Sequence, residues 1–192
     1  NNDHTWFGVD PVRKWYWEAS SLGPVLSFLQ APWRSDVVRV FNLQKNWTEQ
    51  AGSISASRIP VWPLVPPIEG LSAGAGGIQH ALAFVAAGYG DGPIQFPSRG
   101  TDGYIPGHPL VNGSRLRLTR KAVERLTAQS QSTQDAAVVW ALEQYGCLCV
   151  DKTSEDAGHA LRFPKDPRLK VSLALQLTDF EVLPSVTART QN

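Results

Sequence analysis

The sequence predicts a mainly-β domain, a β-sandwich or jelly roll, with one α-helix at about residues 133–145. Three observations predict it. Short runs rich in Val, Leu, Trp and Tyr recur between Gly- and Pro-rich breaks, which gives roughly eight to ten strands. Two stretches alternate apolar and polar residues, Arg115-Leu116-Arg117-Leu118-Thr119 and Lys170 to Thr178, as in a sheet with one wet face. One segment carries its apolar residues at helical spacing.

The elements follow in order. Trp6-Phe7-Gly8-Val9 and Lys14 to Ala19 read as strands around a turn at Asp10-Pro11, and Val37 to Leu43 as a third. Residues 59–67 hold four prolines among Ile, Val, Trp and Leu. Proline cannot donate to a sheet ladder, so this is an extended strap over the core. Gly70 to Gly77 is a connecting loop, since a phosphate-binding loop would need a lysine and a following helix. Ile78 to Val85 reads as a strand, and Gly88 to Asn112 as a turn-rich region.

For the helix, Ser132 or Thr133 supplies a cap and Asp135 favours its positive end. Ala137, Trp140, Ala141 and Tyr145 form the apolar stripe, and Gly146 takes the left-handed stop. A weaker helical turn precedes it near Lys121 to Ala128. Cys147 to Val150 returns to the sheet and Phe180 to Leu183 closes it. No repeat or boundary divides residues 1–192, so a single domain is expected.

With 18 basic and 17 acidic residues the net charge is +1, and no basic stripe of a nucleic-acid binder appears. No run of about 18 apolar residues could span a bilayer. The chain contains no Met, so a processed product or a segment is expected. Asn46-Trp47-Thr48 and Asn112-Gly113-Ser114 match the glycosylation acceptor pattern; Asn112-Gly113 is also the usual dipeptide of a tight turn. Together these features point to a secreted or cell-surface location. Cys147 and Cys149 lie two apart in a strand, as small core hydrophobes, a strained pair or a link to another chain.

Glu18, His80 and His4, with Asp3 beside it, are the candidate catalytic set, able to form an acid/base pair or a metal site. Strand alternation puts His80 on the apolar face of Ile78, Leu82 and Phe84, where a satisfied core histidine is the plainer reading. His108 and His159 read as surface histidines. The scattered carboxylates Asp36, Glu69, Asp91 and Asp102 select no pair for glycoside hydrolysis. No Gly-x-Ser-x-Gly, His-Glu-x-x-His or Cys-x-x-Cys occurs. No metal or other cofactor is assigned. Seven tryptophans are many for this length, and exposed indoles stack on sugar faces. Trp15 and Trp17 share one strand face with Tyr16 on the other, and with Trp47 and Trp62 they are the candidate binding residues.

The order of several segments resembles a family of secreted, mostly uncharacterised bacterial β-rich proteins. The segments are Asp3-His4, Tyr16-Trp17-Glu18, Phe41 to Asn46, Ser55-Ala56-Ser57-Arg58-Ile59-Pro60, Gly77 to Phe84, Gly113 to Leu118, and Ala141-Leu142-Glu143-Gln144-Tyr145-Gly146. The resemblance implies a secreted β-rich fold and no particular reaction. Family members usually carry a long extended segment ahead of the Asp-His pair that this sequence lacks; if that segment supplies a strand, the resemblance implies an open sheet edge here, a template for pairing between chains.

The expected function is a non-catalytic extracellular module, structural or adhesive, that associates with copies of itself, into filaments if neighbours exchange strands. Residues 6–9 and 171–180 are the donor segments. The alternative is a carbohydrate-binding or carbohydrate-active secreted domain.

Overall fold

A computed structural model describes residues 5–20, 23–24, 33–34, 37–45, 50, 52–53, 55–153 and 158–184. The fold is mainly β. A three-stranded antiparallel sheet is built from β1 (Thr5–Asp10), β2 (Trp15–Ser20) and β5 (Val37–Asn42), with β2 in the middle. A two-stranded ladder pairs β3 (Gly23–Pro24) with β4 (Trp33–Arg34). The third sheet has five strands: β6 (Leu82–Ala87), β7 (Arg115–Leu118), β8 (Cys147–Thr153), β9 (Ala160–Leu161) and β10 (Phe180–Val182), in the order β10-β7-β8-β6-β9. The pairing of β6 with β8 is parallel and slips by one residue after Phe84, while the other pairs are antiparallel.

Among the described residues, three α-helices are present rather than one. α3 (Thr133–Gln144) matches expectation, with the Ser132 hydroxyl accepting the Asp135 N–H at 3.0 Å and Gly146 at φ 70° closing it. α2 (Arg120–Gln129) is a full helix where only a weak turn was read. Its cap is Thr119, whose hydroxyl accepts the Ala122 N–H at 3.2 Å, and Ala122 and Leu126 give it a buried face. α1 (Ile68–Ser72) occupies the start of the glycine-rich segment, so Gly70 and Leu71 are helical rather than looped. The close approach of Gly70 to Gly77 folds the rest of that segment back; a Cβ on Gly77 would lie 2.1 Å from the Gly70 carbonyl oxygen.

The five-stranded sheet is covered on both faces. Leu82, Phe84, Cys147, Cys149 and Leu116 pack with Leu71 of α1, Leu126 of α2 and Ala137, Val138, Ala141 and Leu142 of α3. On the other face, Ala83, Leu148 and Val150 pack with Ile59, Val61, Leu64 and Val65 of the proline strap. Residues 82–86 are consequently buried throughout, as in a central parallel strand. The strap and the turn leading into it bond to both large sheets. The Ser57 N–H donates to the Val150 carbonyl at 3.3 Å, and the Val61 N–H to the Glu18 carboxylate at 2.9 Å.

Two expected strands differ. Residues 78–81 are not part of β6, which begins at Leu82. Residues 170–178 alternate in burial but form no ladder, ending in a 3-10 turn at Leu177–Asp179. The reason lies in α3: the Lys170 N–H donates to the Gln134 side chain at 2.6 Å and the Ser172 N–H to Asp135 at 2.8 Å. Side chains at the helix start take the donors a neighbouring strand would have taken. Among the described residues, no helix is long and apolar enough to cross a membrane.

Candidate functional site

The three-stranded sheet carries two different faces because its strands alternate. In an antiparallel pair, directly opposed residues point the same way. Register therefore puts Asp10, Trp15 and Asn42 in one cross-strand row, and Gly8, Trp17 and Val40 in the row beside it. The opposite face holds Tyr16, Glu18 and Phe41, all buried. Tyr16 stacks on Phe41 with ring centroids 5.3 Å apart and on Trp62 of the strap at 6.4 Å. That face is core, and the partly buried Trp62 stacks against it.

The Trp face is open. Trp15 is 45% exposed and Val40 51% exposed. Trp17 lies across the neighbouring strand: a Cβ on Gly8 would fall 2.0–2.2 Å from three of its indole atoms. Only glycine at that position lets the ring settle there. Flanking Trp15 are two polar side chains fixed in place. Asp10 accepts the Val12 and Arg13 N–H groups at 3.0 and 2.9 Å and pairs with the Arg13 guanidinium at 2.9 Å. Its carboxyl is held below the usual range by those bonds from Arg13. The Asn42 side-chain oxygen Oδ1 accepts the Gln44 N–H at 2.8 Å. The result is an aromatic surface bordered by a carboxylate, a guanidinium and an amide. Such a surface can stack on an apolar ring face while bonding to hydroxyls at its rim.

The structure separates the residues of the catalytic set. Glu18 is wholly buried, and its carboxylate accepts from the Tyr16 hydroxyl, the Ser53 hydroxyl and the Val61 N–H. Burial, with Glu18 beside it, keeps the Tyr16 phenol protonated far above its ordinary range. His80 sits ahead of β6 on the other sheet, half-buried, with Nδ1 2.9 Å from the Ala81 carbonyl. Asp3, His4, Asp36, Asn46 and Trp47 lie outside the described residues. Among the described residues, no cluster of His, Cys, Asp or Glu is arranged to hold a metal ion.

Asn112 is wholly buried, which leaves no room for a glycan on its amide. The tight-turn reading describes the segment instead: the Ser114 N–H donates to the Val111 carbonyl at 3.0 Å, and Gly113 has φ 88°. Cys147 and Cys149 are free thiols in the core. His159 is half-buried against Phe84 rather than on the open surface, with ring centroids 5.7 Å apart.

Sequence reasoning missed Asp10, Asn42 and Gly8. The turn at Asp10-Pro11 was legible, and a hairpin register counted outward from it would have set Asp10 opposite Trp15. Comparisons with protein-family models, curated proteins and solved structures find no match for this chain.

Proposed function

We propose that this chain is a non-catalytic module of the cell exterior that binds glycan chains on the Trp15–Trp17 face of its three-stranded sheet. One observation carries the reading: Trp17 seated over Gly8 beside the half-exposed Trp15, with Asp10 and Asn42 in register on either side. Two adjacent indoles match successive sugar rings, and the polar rim supplies partners for hydroxyls. Glu18, the candidate acid, is wholly buried between β2 and the strap, which favours a structural role for it. In this reading the two larger sheets act as the layers of one sandwich, with the proline strap between them. The test is retention on insoluble glucans, xylan and chitin. Retention on at least one, reversed by its soluble oligosaccharide, supports the proposal, and retention on none overturns it.

A second reading, association of copies through sheet edges and into filaments, is favoured by β5. It is an edge strand on which Val38 and Val40 are each 51% exposed. The 171–180 donor segment is less suited to exchange, because Val171, Leu173, Leu175 and Phe180 pack against the chain's own core. Light scattering across a concentration series tests this reading. A mass that grows with concentration, and stops growing in Val40→Lys, supports edge association; a constant mass of one chain excludes it.

A further inference from the structure

A cavity of about 240 Å³ opens between β9 and residues 171–176, on the other sheet from the Trp face. Its walls are Phe84, Leu161, Phe163, Leu173 and Phe180, with His159 among them. A dry apolar cavity of about 150 Å³ takes up benzene, so this one suits a somewhat larger molecule. The lining is aromatic and held in place. Phe180 tilts against Phe84 at 5.6 Å, and the His159 ring stacks on Phe84 within 20° of parallel.

The polar groups at the wall decide what fits. The Gln176 side-chain oxygen is held in its own turn, where it accepts the Asp179 N–H. His159 Nδ1 accepts the Ala87 N–H at 3.0 Å. A ring nitrogen that accepts an N–H carries no proton, so the imidazole is neutral and its proton is on Nε2. Burial, and then the neighbouring charge of His108, lower its proton affinity in the same sense. His159, at the wall, thus carries a donor on Nε2, and its neutral ring supplies no charge to balance an ionic guest.

We propose that this cavity is a binding site for a small, neutral aromatic molecule bearing one hydrogen-bond acceptor, which the His159 Nε2–H engages. The proposal stands apart from glycan binding and survives its failure.

Acetophenone and ethylbenzene, alike in shape but differing in a carbonyl acceptor, are the probes, followed by ligand-observed magnetic resonance titration of the whole chain. Both should bind, acetophenone about fivefold tighter for one neutral hydrogen bond. Leu173→Trp, which fills the chamber, should abolish binding of both. His159→Phe keeps the ring stack and should erase the preference for acetophenone while ethylbenzene still binds. Failure of both probes to bind the wild-type chain, unchanged binding by Leu173→Trp, or an unchanged preference in His159→Phe would overturn the proposal. His159→Phe leaves the Ala87 N–H without its acceptor; should that variant unfold, equal wild-type affinity for the two probes overturns the His159 contact, and unchanged binding by Leu173→Trp overturns the site.

Discussion

The Glu18 carboxylate accepts the Val61 backbone N–H at 2.9 Å across 43 residues of sequence. Through that bond the three-stranded sheet holds the strap that covers the other large sheet. The hydroxyls of Tyr16 and Ser53 donate to the same carboxylate, and all of it is out of water.

Removing this acceptor should be felt as stability. Glu18→Ala removes the shared acceptor of the Tyr16 and Ser53 hydroxyls and the Val61 N–H, at roughly 1–3 kcal/mol for each buried group left unsatisfied. Glu18→Gln, which points an amide N–H₂ at donors, should destabilise by about 2 kcal/mol. Urea unfolding checks this. A midpoint lowered in both variants at unchanged slope is expected; unchanged midpoints would mean that the carboxylate does not tie the strap down.

Asp135 ties the last third of the chain to α3. Burial works to raise its pKa, but bonds from the Ser172 and Gln131 N–H groups and from the Ser132 and Ser172 hydroxyls outweigh it, and the net shift is downward. A carboxyl with a lower pKa folded than unfolded stabilises the fold above its unfolded value, about 3.9, and that stability is lost as pH falls through its folded value. Asp135→Asn should unfold more readily at pH 7 by about 2 kcal/mol. It should also show a shallower decline of stability between about pH 4 and pH 2 than the wild type. Parallel acid titrations of the two proteins, followed by tryptophan fluorescence, measure both effects.

Neither cysteine should react while the chain is folded. Burial pushes Cys149 up to about 12 and Cys147 well above its ordinary value, so thiolate is scarce, and both sulfurs are out of solvent. An aromatic disulfide reagent at pH 8 should label no thiol in the native protein and two after denaturation; rapid native labelling would show that β8 opens.

Much of this was legible in the residues. The hairpin around Asp10-Pro11, the strap, the Arg115 strand and α3 with its Ser132 cap and Gly146 stop all rest on local chemistry that the sequence displays. What was not legible depends on partners far away. Residues 170–178 alternate like a strand, yet the Lys170 and Ser172 N–H groups go to Gln134 and Asp135, because a two-residue period reports one buried side and not a ladder. The parallel pairing of β6 with β8 joins segments separated by two helices. The site was half legible. Alternation set Trp15 and Trp17 on one face, whereas the neighbours that make that face usable, Gly8, Asp10 and Asn42, come from register across three strands. Glu18 looked like a candidate acid because burial is a tertiary property that the sequence does not display.

The central claim is that the Trp15–Trp17 face binds glycan. Its most direct test is calorimetric titration of wild type and Trp15→Ala with the soluble oligosaccharide of whichever polysaccharide retains the chain. Trp15 is half-exposed, so its removal should leave the melting temperature within about 3 °C. Affinity should fall about tenfold or more, the equivalent of about 1.4 kcal/mol of lost stacking. An unchanged affinity in a folded Trp15→Ala would contradict the account and place the glycan, if it binds, somewhere other than this sheet face.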